Sequence, residues 1–513
     1  MINRIILFLL SFCAFIPISL RFSYVIQSNN YRYVKSGKEC FFSGVGLFVS
    51  LFIAFALHAN SLVGGILCGI SLSATAVITT LLYLKKRTKF KFTARGARLY
   101  VAIVMTELLI KAITFFIEPV ASAFITLLMV FCHGIIAYAV NGIIAPLERF
   151  RNRRYVVEGC QVLNKNSILK IGITGSYGKT SCKNILTELL KEKYQVIATE
   201  GNYNTPLGVL KTVNNYREEL ENADFSAKPI VFIAEMGAKR KGDIKELCDV
   251  VKPTHGIITG VNGQHLSTFK NIEGVYSTKK ELADFIETYG GTVVFNGDNF
   301  YTLKMSKSFM GDAVVAGLAK GDFVVKELST TIKGSSFKIV YNNEVIEVST
   351  RLLGAHNALN IVLCVALAIN LGVSKSEINE ALKVIKPIEH RLSVMESGGI
   401  TILDDGYNAN YDGVLSALNV LSSFEGRKVV YAQGIVEQGA NQRKVNEEIG
   451  RELSMRADVV ILSGINQKYI ENGLKSSGFS GEIYIFPSLM HAQAEFKNIL
   501  KRGDVLLLQN DIP

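Results

Sequence analysis

The chain has 513 residues, 49% hydrophobic and 19% charged, with a mean hydropathy of +0.27 and a formal net charge of +12. That length predicts about three domains, and eight cysteines without any C-x-x-C spacing exclude a zinc ribbon and a disulfide framework. Much of the net charge lies in clusters beside the apolar runs, which read as contacts for anionic lipid; the rest reads as solvated charge, and no nucleic-acid module is present.

The apolar excess lies before residue 150. Ile5–Leu20, Phe41–Leu57, Leu62–Leu84, Leu99–Phe116 and Val120–Ile144 are each near the length of a bilayer span. The first could be a signal peptide, but no small-residue cleavage site follows it and four more runs do. The fourth carries Glu107 and Lys111 at i,i+4 spacing, either a structural pair or polar groups along a substrate path. Basic clusters occupy Arg32–Lys38, Lys85–Arg98 and Arg149–Arg154, whereas the loops His58–Ser61 and Glu118–Pro119 lack Lys and Arg. The positive-inside rule then predicts a multi-pass cell-membrane protein of about five helices, with its catalytic domains in the cytoplasm.

Next comes Lys170-Ile-Gly-Ile-Thr-Gly-Ser-Tyr-Gly-Lys-Thr-Ser181, a strand breaking into a glycine turn that ends in Lys-Thr. Glycines there let backbone N–H groups close around phosphate oxygens, and the following helix offers its positive end to the same anion. Lys179 can reach the β/γ-phosphates and the Thr180 hydroxyl can ligate Mg²⁺. A strict Walker A loop has glycine where this chain has Ile173. The loop predicts that the chain binds and consumes a nucleoside triphosphate.

From residue 167 short strands alternate with amphipathic helices. Ser167–Thr174, Gln195–Thr199, Ile230–Glu235, His255–Thr259 and Thr292–Asn296 read as strands, with Ser181–Lys191 and Gly242–Val250 among the helices. The alternation predicts a parallel sheet covered on both faces. Asp322–Ser349, with the turn Tyr341-Asn342-Asn343, predicts a β-rich flank to it. After Ile388 a second α/β run has strands at Arg427–Ala432, Asp458–Leu462, Glu482–Ile485 and Asp504–Leu508. The expected class is therefore α/β: an N-terminal helical membrane region over 1–150, a central P-loop parallel-sheet ATPase domain over 151–388, and a C-terminal Rossmann-like domain over 389–513.

Glu235 ends an apolar strand beside the phosphate loop, where a Mg²⁺ ligand belongs, although a solvated strand end has the same pattern. His265 follows another strand in Thr259-Gly-Val-Asn-Gly-Gln-His265, and a loop histidine alone reads as structural or exposed. Lys279, in Tyr276-Ser-Thr-Lys279-Lys-Glu-Leu282, alone reads as a solvated helix face.

Taken in order, the motifs resemble those of the Mur ligase family of ATP-dependent amide-forming enzymes, most of all the branch that adds D-alanyl-D-alanine to the muramoyl tripeptide. They are Thr174–Ser181, Glu200-Gly-Asn-Tyr-Asn-Thr-Pro-Leu-Gly208, Ala234-Glu-Met-Gly-Ala238, Lys252-Pro253, His265, Lys279-Lys-Glu281, Asn296-Gly-Asp-Asn299, Gly354–Asn360, His390-Arg391 and Asp404–Asn410. The resemblance covers about two thirds of the chain. It implies that Gly175, Gly178, Lys179 and Thr180, with Ser176 and Ser181 in the same loop, hold ATP. It also implies that Thr180 and Glu235 bind one Mg²⁺ and that His265 helps hold a second. Lys279 would be carbamylated into an anionic metal ligand. Asn296 would lie near the adenine, Arg391 near the phosphates and Asp405 on the ribose. A substrate carboxylate would be activated as an acyl phosphate and captured by an amine, with the final domain closing over ATP.

The chain departs from that pattern in three places. A membrane region is expected where relatives carry a UDP-gripping domain, so that region either anchors an ordinary ligase to membrane lipids or receives a lipid-linked muramoyl acceptor in place of the UDP-linked one. Tyr177 stands where asparagine is usual, and Ala432-Gln-Gly-Ile-Val-Glu-Gln-Gly439 replaces a Gly-Asp-Met form, which leaves the incoming amine open. Other readings are a ligase for poly-γ-glutamate or another envelope polymer and, from another class, a transport ATPase.

Overall fold

The computed structural model describes residues 2–28, 31, 77, 80, 93–116, 125, 128–129, 132–164, 168–222, 228–263, 269, 271–406, 410–436 and 438–509. The chain divides into two compact units, Met1–Tyr155 and Val156–Pro513.

The first unit is helical. Its helices are α1 (Ile2–Ser28), α2 (Ala94–Thr114) and the first part of α3 (His133–Leu163). Thr93 caps α2 by accepting from Gly96 N at 3.0 Å, which satisfies one of the amides a helix start leaves open. Phe15, Phe22 and Ile26 pack on Leu99, Ile103, Ala137 and Val140. Inside this core, Glu107 accepts from Ser19 Oγ at 2.8 Å and its Oε1 lies 2.7 Å from His133 Nδ1. Arg98 clamps Glu148 through Nε–Oε1 and Nη2–Oε2, at 2.6 and 2.9 Å.

The expectation of a multi-pass membrane region, and with it of catalytic domains held below a membrane, is corrected here. Among the described residues no helix is long and apolar enough to cross a membrane. Charge is the reason in α2 and α3. α2 carries Arg95, Arg98, Glu107 and Lys111, and the apolar part of α3 ends at Leu147, before Glu148, Arg149, Arg151, Arg153 and Arg154. The expected spans Phe41–Leu57 and, apart from Val77 and Thr80, Leu62–Leu84 lie outside the described residues, as do Glu118–Pro119 and much of Val120–Ile144.

The second unit holds two sheets, one of nine strands and one of six. The first contains β1 (Ile168–Thr174), β2 (Gln195–Ala198), β3 (Ile230–Glu235), β4 (His255–Ile258), β5 (Thr292–Asn296), β6 (Asp312–Gly317), β7 (Phe323–Thr331), β8 (Gly334–Tyr341) and β9 (Glu344–Thr350), in the order β2-β3-β1-β4-β5-β6-β7-β8-β9. Pairing is parallel from β2 to β7 and antiparallel from β7 to β9, so the expected β-rich flank is the antiparallel end of one continuous sheet. Its helices are α4 (Lys179–Leu190), α5 (Pro206–Asn215), α6 (Asp243–Val251), α7 (Ile272–Glu287), α8 (Phe300–Ser308), α9 (Ala355–Asn370) and α10 (Lys375–Val384). The two-residue period of a strand sorts them. Ile171 and Ile173 share a core with α4 and α9, whereas a Cβ on Gly172 would meet Leu282 of α7 at 2.8 Å. Both faces are covered, as an all-parallel core requires.

The second sheet contains β10 (Ser393–Ser397), β11 (Ile400–Asp405), β12 (Lys428–Ala432), β13 (Val459–Ser463), β14 (Glu482–Phe486) and β15 (Val505–Gln509), ordered β10-β11-β15-β12-β13-β14. Only the edge strand β10 is antiparallel among these pairings. Its helices are α11 (Tyr411–Ser422), α12 (Gln442–Ser454), α13 (Gln467–Ser476) and α14 (Leu489–Ile499). Val430 and Leu507 pack with α11, α12 and α13, while Val429, Tyr431 and Leu506 pack with α14.

Candidate active site at the carboxyl edge of the nine-stranded sheet

β1 lies between β3 and β4, so its carboxyl end opens where the strand order reverses, the place where open α/β sheets bind ligands. Gly175 and Gly178 make the turn there, with φ of 151° and 73°. A Cβ on Gly175 would stand 2.0 Å from Thr259 Oγ1, and one on Gly178 would stand 2.5 Å from Asn360 Oδ1. Ser176 N donates to Gly260 O at 2.8 Å, and Thr259 Oγ1 donates to Tyr177 O. The loop is thus fixed from outside by β4's extension, and α4 begins at Gly178 without a side-chain cap. An uncapped helix start behind a glycine turn is a ready anion cradle.

Lys179 Nζ donates to Gly175 O at 2.8 Å and so lies back across this loop. Burial lowers its pKa, Glu235 opposes that, and Arg391 adds to it. Glu235 ends β3 and is 3% exposed. Its Oε1 lies 3.5 Å from Asn204 Nδ2, and its Oε2 lies 3.3 Å from Lys183 Nζ, an ion-pair distance without hydrogen-bond alignment. Lys279, on α7, is also 3% exposed. Burial pushes its pKa down to about 7, Lys179 adds to the fall, and Asp243 and Glu281 oppose it. Those two acids are already engaged. Glu281 accepts from Gly242 N and Lys245 N at 2.7 and 2.9 Å, and Asp243 accepts from Lys239 N and Arg240 N at 2.9 and 3.0 Å.

Arg391 reaches this edge from the start of the second sheet. Its Nη2 donates to Thr180 Oγ1 at 3.3 Å. The flanking residues His390 and Leu392 both have left-handed φ, 61° and 53°, an uncommon conformation outside glycine. His390 Nδ1 also lies 2.7 Å from Asp404 Oδ2. Asp405 accepts from Gln509 Nε2 at 2.6 Å, and burial pushes its pKa up to about 6. Asn296 Nδ2 donates to Thr259 O at 2.8 Å and lies 3.5 Å from Tyr177 Oη. Tyr177 is held protonated, its pKa pushed up to about 12 chiefly by burial. His265 and residues 407–409 lie outside the described residues.

Lys183 has no role in the sequence reading, although it follows Lys179 by one helical turn and therefore shares its face. Asn204, Thr259 and Asn360 lie in the motifs named from the sequence, but their contacts arise only when β2, β4 and α9 are brought to β1.

Among the described residues no three His, Cys, Asp or Glu side chains gather as a metal cluster. Mg²⁺ binds through one or two carboxylates together with substrate phosphates and water. Glu235 fits the role, since its buried Oε2 lacks a hydrogen-bond donor, with the Thr180 hydroxyl as second protein oxygen.

Residues 173–368 match the Mur ligase middle domain, and residues 390–509 match the Mur ligase glutamate ligase domain. The chain is similar to UDP-N-acetylmuramoyl-tripeptide–D-alanyl-D-alanine ligase of Haemophilus influenzae, 25% identical over 343 residues that cover 65% of this chain and 73% of that protein. The same enzyme of Treponema pallidum is 28% identical over 346 residues, covering 67% and 72%. Among solved structures, MurF from Acinetobacter baumannii shares the fold with a TM-score of 0.62 at 23% identity, covering 70% of this chain and 77% of that one. MurF ligase from Thermotoga maritima in complex with ADP gives a TM-score of 0.60 at 24% identity, covering 70% and 80%. With both family domains present, in order, across the two sheets, the chain belongs to the Mur ligase family of ATP-dependent, ADP-forming ligases.

Proposed function

We propose that this ligase activates the terminal carboxylate of a muramoyl tripeptide and joins it to D-alanyl-D-alanine in peptidoglycan precursor synthesis. One observation carries the reading: Arg391, from the second sheet, meets Thr180 of the phosphate loop at 3.3 Å, so both halves of the ligase unit contribute to one triphosphate site. The similar D-alanyl-D-alanine ligases supply the substrate class.

The amides of Gly175–Gly178 and the Lys179 ammonium would hold the β/γ-phosphates, with Ser176 and Ser181 lining the same loop. Thr180 and Glu235 would hold Mg²⁺, whose chemistry when bound is to offset the charge of two approaching anions. Arg391 adds a fixed positive charge where the phosphoryl oxygens gain negative charge. In the reaction, a carboxylate oxygen bonds to the γ-phosphorus as the bond to ADP breaks. The amine then bonds to the acyl carbon, phosphate leaves, and a proton is released from the nitrogen. Lys279 with a pKa near 7 has neutral amine available at physiological pH, which supports its carbamylation, and His265 is proposed beside it. Asp405 and Asn296 remain proposed contacts for ribose and adenine. The domain limits 1–150, 151–388 and 389–513 are proposed on the same pattern.

Phosphate release with ATP, Mg²⁺ and D-alanyl-D-alanine tests the reading, with UDP-muramoyl tripeptide as acceptor and its lipid-linked counterpart in parallel. ATP-dependent formation of the pentapeptide from the UDP form is the expected result. No release with either acceptor would move the chain to another envelope polymer.

A further inference from the structure

Lys183 has no part in the scheme above, yet it is among the most enclosed charges of the site, at 3% exposed. It stands one turn along α4 from Lys179. Its Nζ donates to Thr199 O at 2.8 Å and to Gly201 O at 2.9 Å, and lies 3.3 Å from Glu235 Oε2. A lysine ammonium has three donor directions, and these three oxygens surround it. The carbonyls belong to the segment that follows β2, which returns to Glu235 by a second route. Asn204 Nδ2 lies 3.5 Å from Glu235 Oε1, Gly237 N donates to Asn204 O at 3.0 Å, and Glu235 N donates to Thr199 Oγ1 at 3.0 Å. Space is tight at this join, since a Cβ on Gly237 would stand 2.7 Å from Asn204 Cγ.

We propose that Lys183 is a positioning residue that fixes the Glu235 carboxylate for Mg²⁺ and ties it to the Thr199–Asn204 segment, so that the metal oxygen and that segment are set by one side chain. The proposal rests on the reading of Glu235 as the metal carboxylate. Groups that orient a metal ligand without touching the metal characteristically change metal affinity by about 10–100-fold when removed. Lysine suits the task because its charge balances the buried carboxylate through an ion pair while two of its donors hold backbone carbonyls. An arginine would carry the charge in a planar fork that cannot reproduce this three-way arrangement.

Titration calorimetry of ATP, with and without Mg²⁺, on Lys183→Met, Lys183→Arg and the unaltered protein tests this without any acceptor. Lys183→Met is expected to weaken MgATP binding by about 10–100-fold while metal-free ATP binding stays nearly unchanged, because Lys179 and the loop amides are untouched. Lys183→Arg should fall between. Equal loss with and without Mg²⁺, or no loss in either variant, would overturn the proposal. Should Lys183→Met fail to fold, the arginine variant decides alone, and MgATP binding identical to the unaltered protein would refute it. Absence of any Mg²⁺ effect on the unaltered protein would overturn the Glu235 reading as well. A wrong acceptor class in the phosphate-release assay leaves this measurement standing, so the two failures are distinguishable.

Discussion

The two parallel sheets of the ligase unit end in clusters of buried polar side chains, and the clusters differ in kind. At the carboxyl edge of the nine-stranded sheet stand Lys179, Lys183, Glu235 and Lys279, three lysines and one carboxylate. At the same edge of the six-stranded sheet stand Gln433, Gln509 and Asp405, backed by Gln442, Asn446 and Asn466. There Asn446 Oδ1 accepts from Ile435 N at 2.8 Å, Asn446 Nδ2 and Asn466 Nδ2 donate to Ile435 O at 2.9 and 3.0 Å, and Gln442 Nε2 donates to Asn466 Oδ1 at 2.8 Å. Both edges use the same topological feature, strands diverging at a reversal of order. The first gathers the Lys179 and Lys183 ammonium groups and Arg391 about a single carboxylate, a positive excess that suits a multiply charged anion. The second ties Ile435 into a network of neutral carboxamides. One edge is thus organised by charge and the other by neutral hydrogen bonds.

The largest expected effect comes from removing charge at the first edge. Lys179→Ala should lower phosphate release on the order of 10²–10³-fold with little change in melting temperature, and substantial remaining turnover would sink the phosphate-loop assignment. Lys279→Ala should also lose most activity and regain part of it with added short carboxylates if the lysine works as a carbamate. In the unmodified protein, its pKa near 7 lies below the ordinary lysine value. The unfolded chain therefore binds more protons above pH 7, and stability rises with pH from about 7 to about 10.4. Lys279→Met should flatten that rise in urea midpoints taken at pH 7 and pH 9.

Smaller effects are expected at the second edge, and on stability before chemistry. Asn446→Ala strands the Ile435 N–H and weakens the hold on its carbonyl, which should cost about 1–3 kcal/mol. The midpoint in urea should fall at constant slope while ATP affinity is kept; a loss of ATP affinity larger than the loss of stability would erase the contrast between the edges. Asp405 acts through pH. Its pKa is raised from 3.8 to about 6 by burial, so the native state retains a proton that the unfolded chain releases, and stability falls as pH rises through that window. Asp405→Asn should remove the fall and leave the protein up to about 3 kcal/mol more stable at pH 7.

Much of the ligase unit could be read from local pattern. Strands Ile230–Glu235 and Thr292–Asn296 were legible as apolar β-branched runs, and the Gly-Lys-Thr turn marked the phosphate loop before any fold was known. β6 and the β10–β11 hairpin were not, because their strands are short, partly exposed and lack a clear alternation. The first unit shows the opposite error. Apolar composition there suggested spans, yet Glu107 finds His133 and Ser19 inside a helical core and Arg98 finds Glu148 at its margin, and hydropathy read along a chain cannot see such pairing.

What the sequence determined by itself was the set of chemical parts and their strand or helix setting, because turns, caps and periodicity are short-range. Only the tertiary structure decided which parts meet. Arg391 reaches Thr180 across 211 positions, and Lys183 and Glu235 come together from α4 and β3. Those meetings depend on strand order and on burial, which lowers the dielectric around each charge and gives Lys279 and Asp405 properties that their own neighbours in sequence do not confer.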